Sequence, residues 1–154
     1  MTSGEVEVHV DASAEAVYAL VSDVTRMGEW SPETVSAEWI DGATGPAVGA
    51  RFKGKNKRKG SWSTKPTVIA AEPGREFAFA VGKVEKPQTV WRYRLEPAGD
   101  GCDVTESFEI PKEPGLFGRW LTKLGTGVAW SERGADLERG MQRTLERLKA
   151  AAEG

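Results

Sequence analysis

The feature that most constrains the fold is a series of six predicted strands with no helix between them. The predicted strands cover residues 35–41, 49–57, 61–72, 76–82, 88–96 and 103–110. Short, turn-forming segments rich in glycine, proline and aspartate separate them, and links this short place consecutive strands side by side in an antiparallel sheet. Pro66 lies inside the third strand, which predicts a sheet edge or a bulge there because proline has no backbone donor.

The chain before this region predicts one strand and two short helices. Residues 5–10 alternate between valines and polar side chains, which is typical of a half-buried strand. Residues 14–23 then repeat apolar side chains at helical spacing. A second helical turn around 25–30 stops before Pro32.

The last third of the chain is predicted to be helical. An amphipathic segment begins at Leu116, is interrupted at Gly125 and Gly127, and resumes at Ala129 as a long helix. We expect a bend or a mobile join at the two glycines, because glycine relaxes helix geometry. The apolar face of the long helix carries Trp130, Leu137, Met141, Leu145 and Leu148. The opposite face, predicted to meet solvent, carries Glu132, Arg133, Asp136, Arg139, Arg143 and Arg147.

This order of elements predicts an α+β helix-grip fold. About seven antiparallel strands would curve around the long C-terminal helix, with two short helices after the first strand and a hollow between sheet and helix. A lipocalin barrel would lack the early helices, and a parallel nucleotide-binding sheet would need a helix between its strands. The length of 154 residues fits one domain, 1–154.

The composition excludes several kinds of chemistry. His9 is the only histidine and Cys102 the only cysteine, so the chain has no Ser-His-Asp or Cys-His arrangement and no ordinary zinc site. No glycine-rich phosphate loop is present, and we predict neither a cofactor nor a metal. We expect His9 to face solvent. Cys102 is interpreted as a passive thiol, with a redox or nucleophilic role as the alternative.

The net charge of −2 gives no indication of nucleic-acid binding. The basic run 51–59 alternates, so its lysines share the outer face of a strand and no nucleic-acid partner is expected. Nucleic-acid binding, an anionic ligand headgroup and a lipid surface stay alternatives for this run. The first five residues lack a basic start and an apolar run, and no stretch is long enough to span a membrane, so we expect no signal peptide and a cytoplasmic location. We expect a monomer or a weak homodimer.

The hairpin of the last two strands places a carboxylate on an apolar face. If Leu95 pairs with Val104, then Tyr93 lies opposite Glu106. A buried carboxylate needs a hydrogen-bonding partner, which Tyr93 could supply. Glu106 is therefore a candidate polar anchor for a ligand or, with Tyr93, a candidate acid/base. A purely structural hydrogen bond and a one-residue register shift are the alternatives.

We predict a hollow that is lined by aromatic rings and a few polar groups, as small-molecule sites are. Its lining would come from the inward-facing side chains of the strands and from rings near the expected cavity opening. Each could instead be ordinary core. The predicted ligand-binding residues are Trp30, Phe52, Asn56, Trp62, Thr64, Phe79, Trp91, Tyr93, Glu106, Phe108, Trp120, Leu137 and Met141.

Several segments resemble a known family. They are 10–23, 27–32, 48–52, 72–79, 91–97, 104–107 and 140–149. Together they resemble the polyketide cyclase/dehydrase branch of the START-like (SRPBCC) superfamily, in its actinobacterial type. The resemblance implies a helix-grip fold with a deep cavity, and relatives that bind lipids, sterols, plant hormones, quinones or polyketides. Only some of those relatives are catalysts.

The predicted function is therefore binding of a small hydrophobic molecule, lipid-, polyketide- or quinone-like, by a single START-like domain acting as a carrier or a sensor. One alternative is a polyketide cyclase/dehydratase-type enzyme, with Glu106 and Tyr93 as its catalytic candidates. A further alternative is a growth-regulating, toxin-like interaction protein.

Overall fold

The computed structural model describes all 154 residues and confirms the predicted order of elements. The strands are β1 (Thr2–Val10), β2 (Thr34–Ile40), β3 (Arg51–Lys57), β4 (Ser61–Thr64), β5 (Thr67–Glu72), β6 (Glu76–Lys83), β7 (Lys86–Ala98) and β8 (Gly101–Ile110). The α-helices are α1 (Ala14–Val21), α2 (Leu116–Thr126) and α3 (Trp130–Glu153). A 3₁₀ helix spans Val24–Glu29. None of the helices is both long and apolar enough to cross a membrane.

All the strands belong to one curled antiparallel sheet in the order β1-β8-β7-β6-β5-β3-β2, with β4 paired to β3 beside this path. The seven strands of this path agree with the expectation of about seven, and β4 lies beside them because the predicted strand 61–72 is divided into β4 and β5. The chain breaks at Pro66, which cannot donate to a ladder. Its carbonyl instead accepts from the Phe52 N–H at 3.2 Å.

Helix α3 packs against the concave face of the sheet with its predicted apolar face. Leu137 and Met141 contact Phe108 and Ile110 of β8. Further along the helix, Leu145 joins the larger core cluster, which also contains Leu148 and the inward side chains of α1. The long helix therefore packs closely against the part of the sheet around β8 and leaves the remaining concave surface uncovered.

The ends of the short helices follow their sequence signals. The Ser13 hydroxyl caps α1 by accepting from the Ala16 N–H at 3.1 Å. Gly127 ends α2 in the left-handed conformation (φ 79°), and its N–H donates to the Lys123 carbonyl at 2.8 Å. The predicted join between α2 and α3 is confirmed.

The single histidine and the single cysteine occupy opposite environments. His9 is exposed, as predicted, and its ring lies 2.9 Å from a carboxylate oxygen of Asp103. Cys102 is buried, and burial raises the pKa of its thiol, which favours the passive interpretation.

Candidate functional site

A cavity of about 780 Å³ lies between the concave face of the sheet and helices α2 and α3. It exceeds the roughly 300 Å³ at which small-molecule sites begin. Strands β3, β4, β6, β7 and β8 supply its walls from one side, and the two C-terminal helices supply them from the other. The predicted hollow is therefore present.

Ten of the thirteen predicted site residues line this cavity. They are Phe52, Asn56, Trp62, Thr64, Phe79, Trp91, Tyr93, Glu106, Leu137 and Met141. Strand parity explains their convergence, because side chains two residues apart on a strand point to the same face. Asn56 is already partnered, since its side-chain oxygen accepts from the Thr34 hydroxyl at 2.7 Å.

The other three predicted residues lie elsewhere. Trp30 is 3% exposed within the core, under a cation–π contact from Arg26 at 5.3 Å. Phe108 is buried in a cluster with Leu137 and Met141, and its ring centroid lies 5.9 Å from that of Trp91. Trp120 is 57% exposed on the outer side of α2. Ring content alone could not separate these rings from cavity-lining ones.

The β7–β8 hairpin has the predicted register. Leu95 pairs with Val104, and Tyr93 pairs with Glu106. The register-shift alternative is therefore wrong, and the carboxyl group lies on the inner face. Val6 of β1 flanks Glu106 on its other side, so the acid stands between an apolar side chain and a phenol.

Glu106 is the least satisfied polar group in the protein. It is 2% exposed, and its Oε2 has no hydrogen-bond partner. Burial raises its pKa to about 8, because the charged form loses water, while Tyr93 opposes part of that shift. Burial likewise raises the pKa of Tyr93 well above its usual range. Near neutral pH both groups are therefore mainly protonated. Because Tyr93 is bonded to Glu106, the unpartnered side of the Glu106 carboxyl group is the point at which a guest in the cavity could form a hydrogen bond.

A set of four charged residues on the cavity wall was not predicted. Arg133 Nη1 lies 2.6 Å from Glu33 Oε1 and 2.6 Å from Asp136 Oδ2. Arg58 of the β3–β4 turn reaches the same two acids, at 3.0 Å and 3.2 Å. We call these four residues the ion-pair cluster.

The ion-pair cluster corrects the predicted solvent face of α3. Arg133 and Asp136 are almost fully covered, with side chains 11% and 10% exposed. Burial alone would raise the pKa of Asp136, but hydrogen bonds from Arg58 and Arg133 hold it below its usual value. The missed signal was helical spacing, since positions 133, 136 and 140 share a face with Leu137 and Met141.

These residues make the cavity more polar than the sequence predicted. Only 13 of its 34 lining residues are hydrophobic. The ion-pair cluster is internally neutral, since two arginines balance two acids. Both acids of the cluster are bonded to its arginines. The charges of the ion-pair cluster are therefore paired among themselves, whereas the carboxyl group of Glu106, another lining acid, keeps an oxygen without a partner.

A curled antiparallel sheet around a long C-terminal helix, with an internal cavity between them, defines the class of helix-grip ligand-binding proteins. Within that class, the chain belongs to the family described as "Polyketide cyclase / dehydrase and lipid transport", which matches residues 1–153. The resemblance found in the sequence is thus confirmed.

Solved structures agree with this assignment. The chain is 33% identical to a polyketide-cyclase-like protein of Corynebacterium glutamicum, covering 97% of this chain and 88% of that one, with a TM-score of 0.54. It shares its fold with the di-domain ARO/CYC StfQ of the steffimycin biosynthetic pathway (14% identity, 99% of this chain and 50% of that one, TM-score 0.72). It is also similar to a Chromobacterium violaceum protein (15% identity, 99% and 98% covered, TM-score 0.70). A search of curated proteins found no match.

Proposed function

We propose that residues 1–154 act as a single START-like domain that binds one small hydrophobic molecule as a carrier or a sensor. The observation that carries this proposal is the 780 Å³ cavity with a buried, incompletely hydrogen-bonded carboxyl group on its wall. An unsatisfied buried polar group is expensive, so a guest that bonds to it gains binding free energy.

The lining favours a particular kind of guest. Phe79 and Trp91 line the cavity and offer apolar ring surface to a flat or extended apolar body. Glu106, protonated near neutral pH, would donate to a carbonyl or hydroxyl oxygen. The ligand is therefore lipid-, polyketide- or quinone-like, with its neutral oxygen turned toward β8.

The cavity can be filled without disturbing the fold. A Cβ added at Gly54 would have Thr64 Oγ1 as its nearest neighbour, at 3.5 Å, which is ordinary contact. Gly54→Val therefore places a side chain inside the cavity on a strand that tolerates it. Gly45→Val is the matched control, because its Cβ would meet nothing within 4 Å.

The test is titration with Nile red, a neutral apolar dye. The natural protein and Gly45→Val should bind it with equal affinity and a blue-shifted emission. Gly54→Val should weaken binding about tenfold or more, because one buried valine removes space that the dye needs. Equal binding by all three proteins would place the dye outside the cavity and remove support for the proposal. If the dye does bind in the cavity, native mass spectrometry of gently purified protein would identify a natural ligand.

A second candidate function is proton transfer from a ligand held in the same cavity. The observation that favours it is the position of Glu106, opposite Tyr93 on the cavity wall. Its ionised fraction could remove a proton α to a ligand carbonyl, while the Tyr93 hydroxyl donates to the developing enolate oxygen.

Exchange of the α-protons of β-tetralone in D₂O, followed by NMR, tests this candidate. A catalyst should accelerate exchange, and Glu106→Gln should reduce the acceleration about 100-fold while ketone binding persists. A pure carrier should show no acceleration above background. Glu106→Gln would then change affinity alone.

A further inference from the structure

We propose that helix α2 docks the protein on an anionic lipid surface. Its apolar side chains point outward instead of into the core. Leu116, Phe117, Trp120, Leu121 and Leu124 are each between 48% and 86% exposed. We call these five residues the apolar patch. Phe117 and Trp120 stack on one another, with ring centroids 5.8 Å apart, and both remain open to solvent.

The residues on the inner face of α2 explain why the apolar patch is left largely unburied by the rest of the protein. That face carries small and weakly polar residues, of which Thr122, Gly125 and Thr126 line the cavity together with the edges of Leu121 and Leu124. The two threonine hydroxyls bond back to carbonyls of the same helix, at 3.0 Å and 2.7 Å. An ordinary amphipathic helix turns its apolar face to the protein, whereas α2 turns its apolar face mainly to solvent. An exposed apolar patch of this kind marks an interaction surface.

Charge around the patch favours an anionic lipid surface over a second copy of the chain. Arg119 and Lys123 lie along one side of the patch on the same helix. Lys59 adds a third cation at the C-terminal end of α2, where its side chain approaches Gly127. Leucine and aromatic side chains flanked by cations are typical of helices that lie in a lipid interface. A second copy packed across the patch would bring like charges together.

The local charge contrasts with that of the whole chain, whose net charge is −2. Glu113 is the acid that contacts a patch cation, with its carboxylate 3.5 Å from Arg119. The attraction to an anionic surface would therefore come from these few cations and not from the overall charge.

The patch continues into the cavity. Leu121 and Leu124 line the cavity and are also about half exposed. An apolar molecule could therefore pass between a docked bilayer and the cavity along these two leucines. This consequence depends on the proposed ligand-binding function, whereas docking itself does not.

Vesicle flotation tests the docking. The protein should float with vesicles that contain phosphatidylglycerol and not with pure phosphatidylcholine vesicles, and raised salt should weaken the binding. The double variant Phe117→Ser/Trp120→Ser should lower partitioning at least tenfold, because each ring buries apolar area in the interface. Arg119→Gln and Lys123→Gln should each lower it about fivefold. Val35→Ser/Val84→Ser is the control, since both valines are exposed outside the patch.

Three results would overturn the inference. These are equal binding to neutral and anionic vesicles, no loss of binding in the double variant, and a concentration-dependent dimer that the double variant abolishes. Nile red titration of the double variant separates this inference from the proposed function. If the double variant still binds the dye but no longer floats, the docking surface is separate from the cavity and the docking inference is supported. If the natural protein floats and the double variant does not, but neither binds the dye, docking is supported and the proposed ligand-binding function is contradicted.

Discussion

At the scale of single residues, the unusual group is Glu106. A carboxyl group that is 2% exposed and lacks a partner for Oε2 stays neutral near pH 7 because ionisation would cost it its hydration. Its neutrality preserves the fold and also gives the cavity a hydrogen-bond donor. One side chain thus links the stability of the empty protein to its proposed ligand chemistry.

This link predicts an unusual dependence of stability on pH. An acid with a folded-state pKa of about 8, against an ordinary 4.5, binds its proton more tightly in the folded protein. Its contribution to stability is therefore complete below about pH 4.5 and is lost as the pH rises through 8. Between pH 6 and pH 8, urea unfolding should show a loss approaching about 1.4 kcal/mol per pH unit. Glu106→Gln should lack this loss, and identical pH profiles for both proteins would contradict the assignment.

The ion-pair cluster is the second residue-scale feature with a measurable consequence. Arg133→Gln leaves Glu33 and Asp136 with a single arginine in a nearly buried position, so the free energy of unfolding should fall by about 2–3 kcal/mol. Arg26→Gln breaks an exposed pair with Glu29 at 2.7 Å and should cost much less, because solvent screens that pair. Urea denaturation compares the two variants. Equal costs would mean that solvent screens the cluster as well as it screens a surface pair.

At the scale of elements, α3 combines two kinds of position on one face. Leu145 is fully buried in the core, whereas Met141 is buried beside the cavity. Leu145→Ala should therefore cost about 3–5 kcal/mol, because it opens a new void. Met141→Ala should cost about 2 kcal/mol, since it enlarges space that already exists. A larger cost for Met141 than for Leu145, measured by thermal or urea unfolding, would show that the cavity is not open beside Met141.

The join between α2 and α3 depends on one backbone conformation. Gly127 has φ 79°, and a Cβ there would lie no closer than 3.6 Å to Lys59, so Gly127→Ala should cost about 1–2 kcal/mol for backbone reasons alone. Gly125→Ala is the matched control. Its Cβ would make an ordinary 3.6 Å contact with Trp62, and alanine should stabilise the helix by up to about 1 kcal/mol. Equal effects in a urea titration would mean that Gly127 is free to leave its left-handed conformation.

At the scale of the whole molecule, the cavity is a gap in the packing that a guest can close. A ligand present at 100 times its Kd adds about 2.7 kcal/mol to the stability of the folded state. For a protein of this size, saturating Nile red should raise the melting temperature by about 5–10 °C. Gly54→Val should show a much smaller rise. An equal rise in Gly54→Val would place the stabilising site elsewhere.

Local sequence patterns were enough to predict the fold and the centre of the candidate site. The alternation in β7 and β8 fixed which side chains share a face, and the short turn between them left few registers, so Tyr93 was correctly placed opposite Glu106. The order of elements predicted the sheet around α3 in the same way. Local periodicity carries this information because a side chain's direction repeats along a strand or a helix.

Tertiary structure alone decided what each face meets. Arg133 and Asp136 have the pattern of a solvent face, yet Arg58, 78 residues away from Asp136, turns them into part of the cavity wall. The apolar face of α2 has the pattern of a core helix, yet it lies outside because small residues fit the opposite face against the cavity. Periodicity groups residues into faces, but only long-range packing selects the neighbour that each face contacts, since that choice depends on pairings between distant parts of the chain.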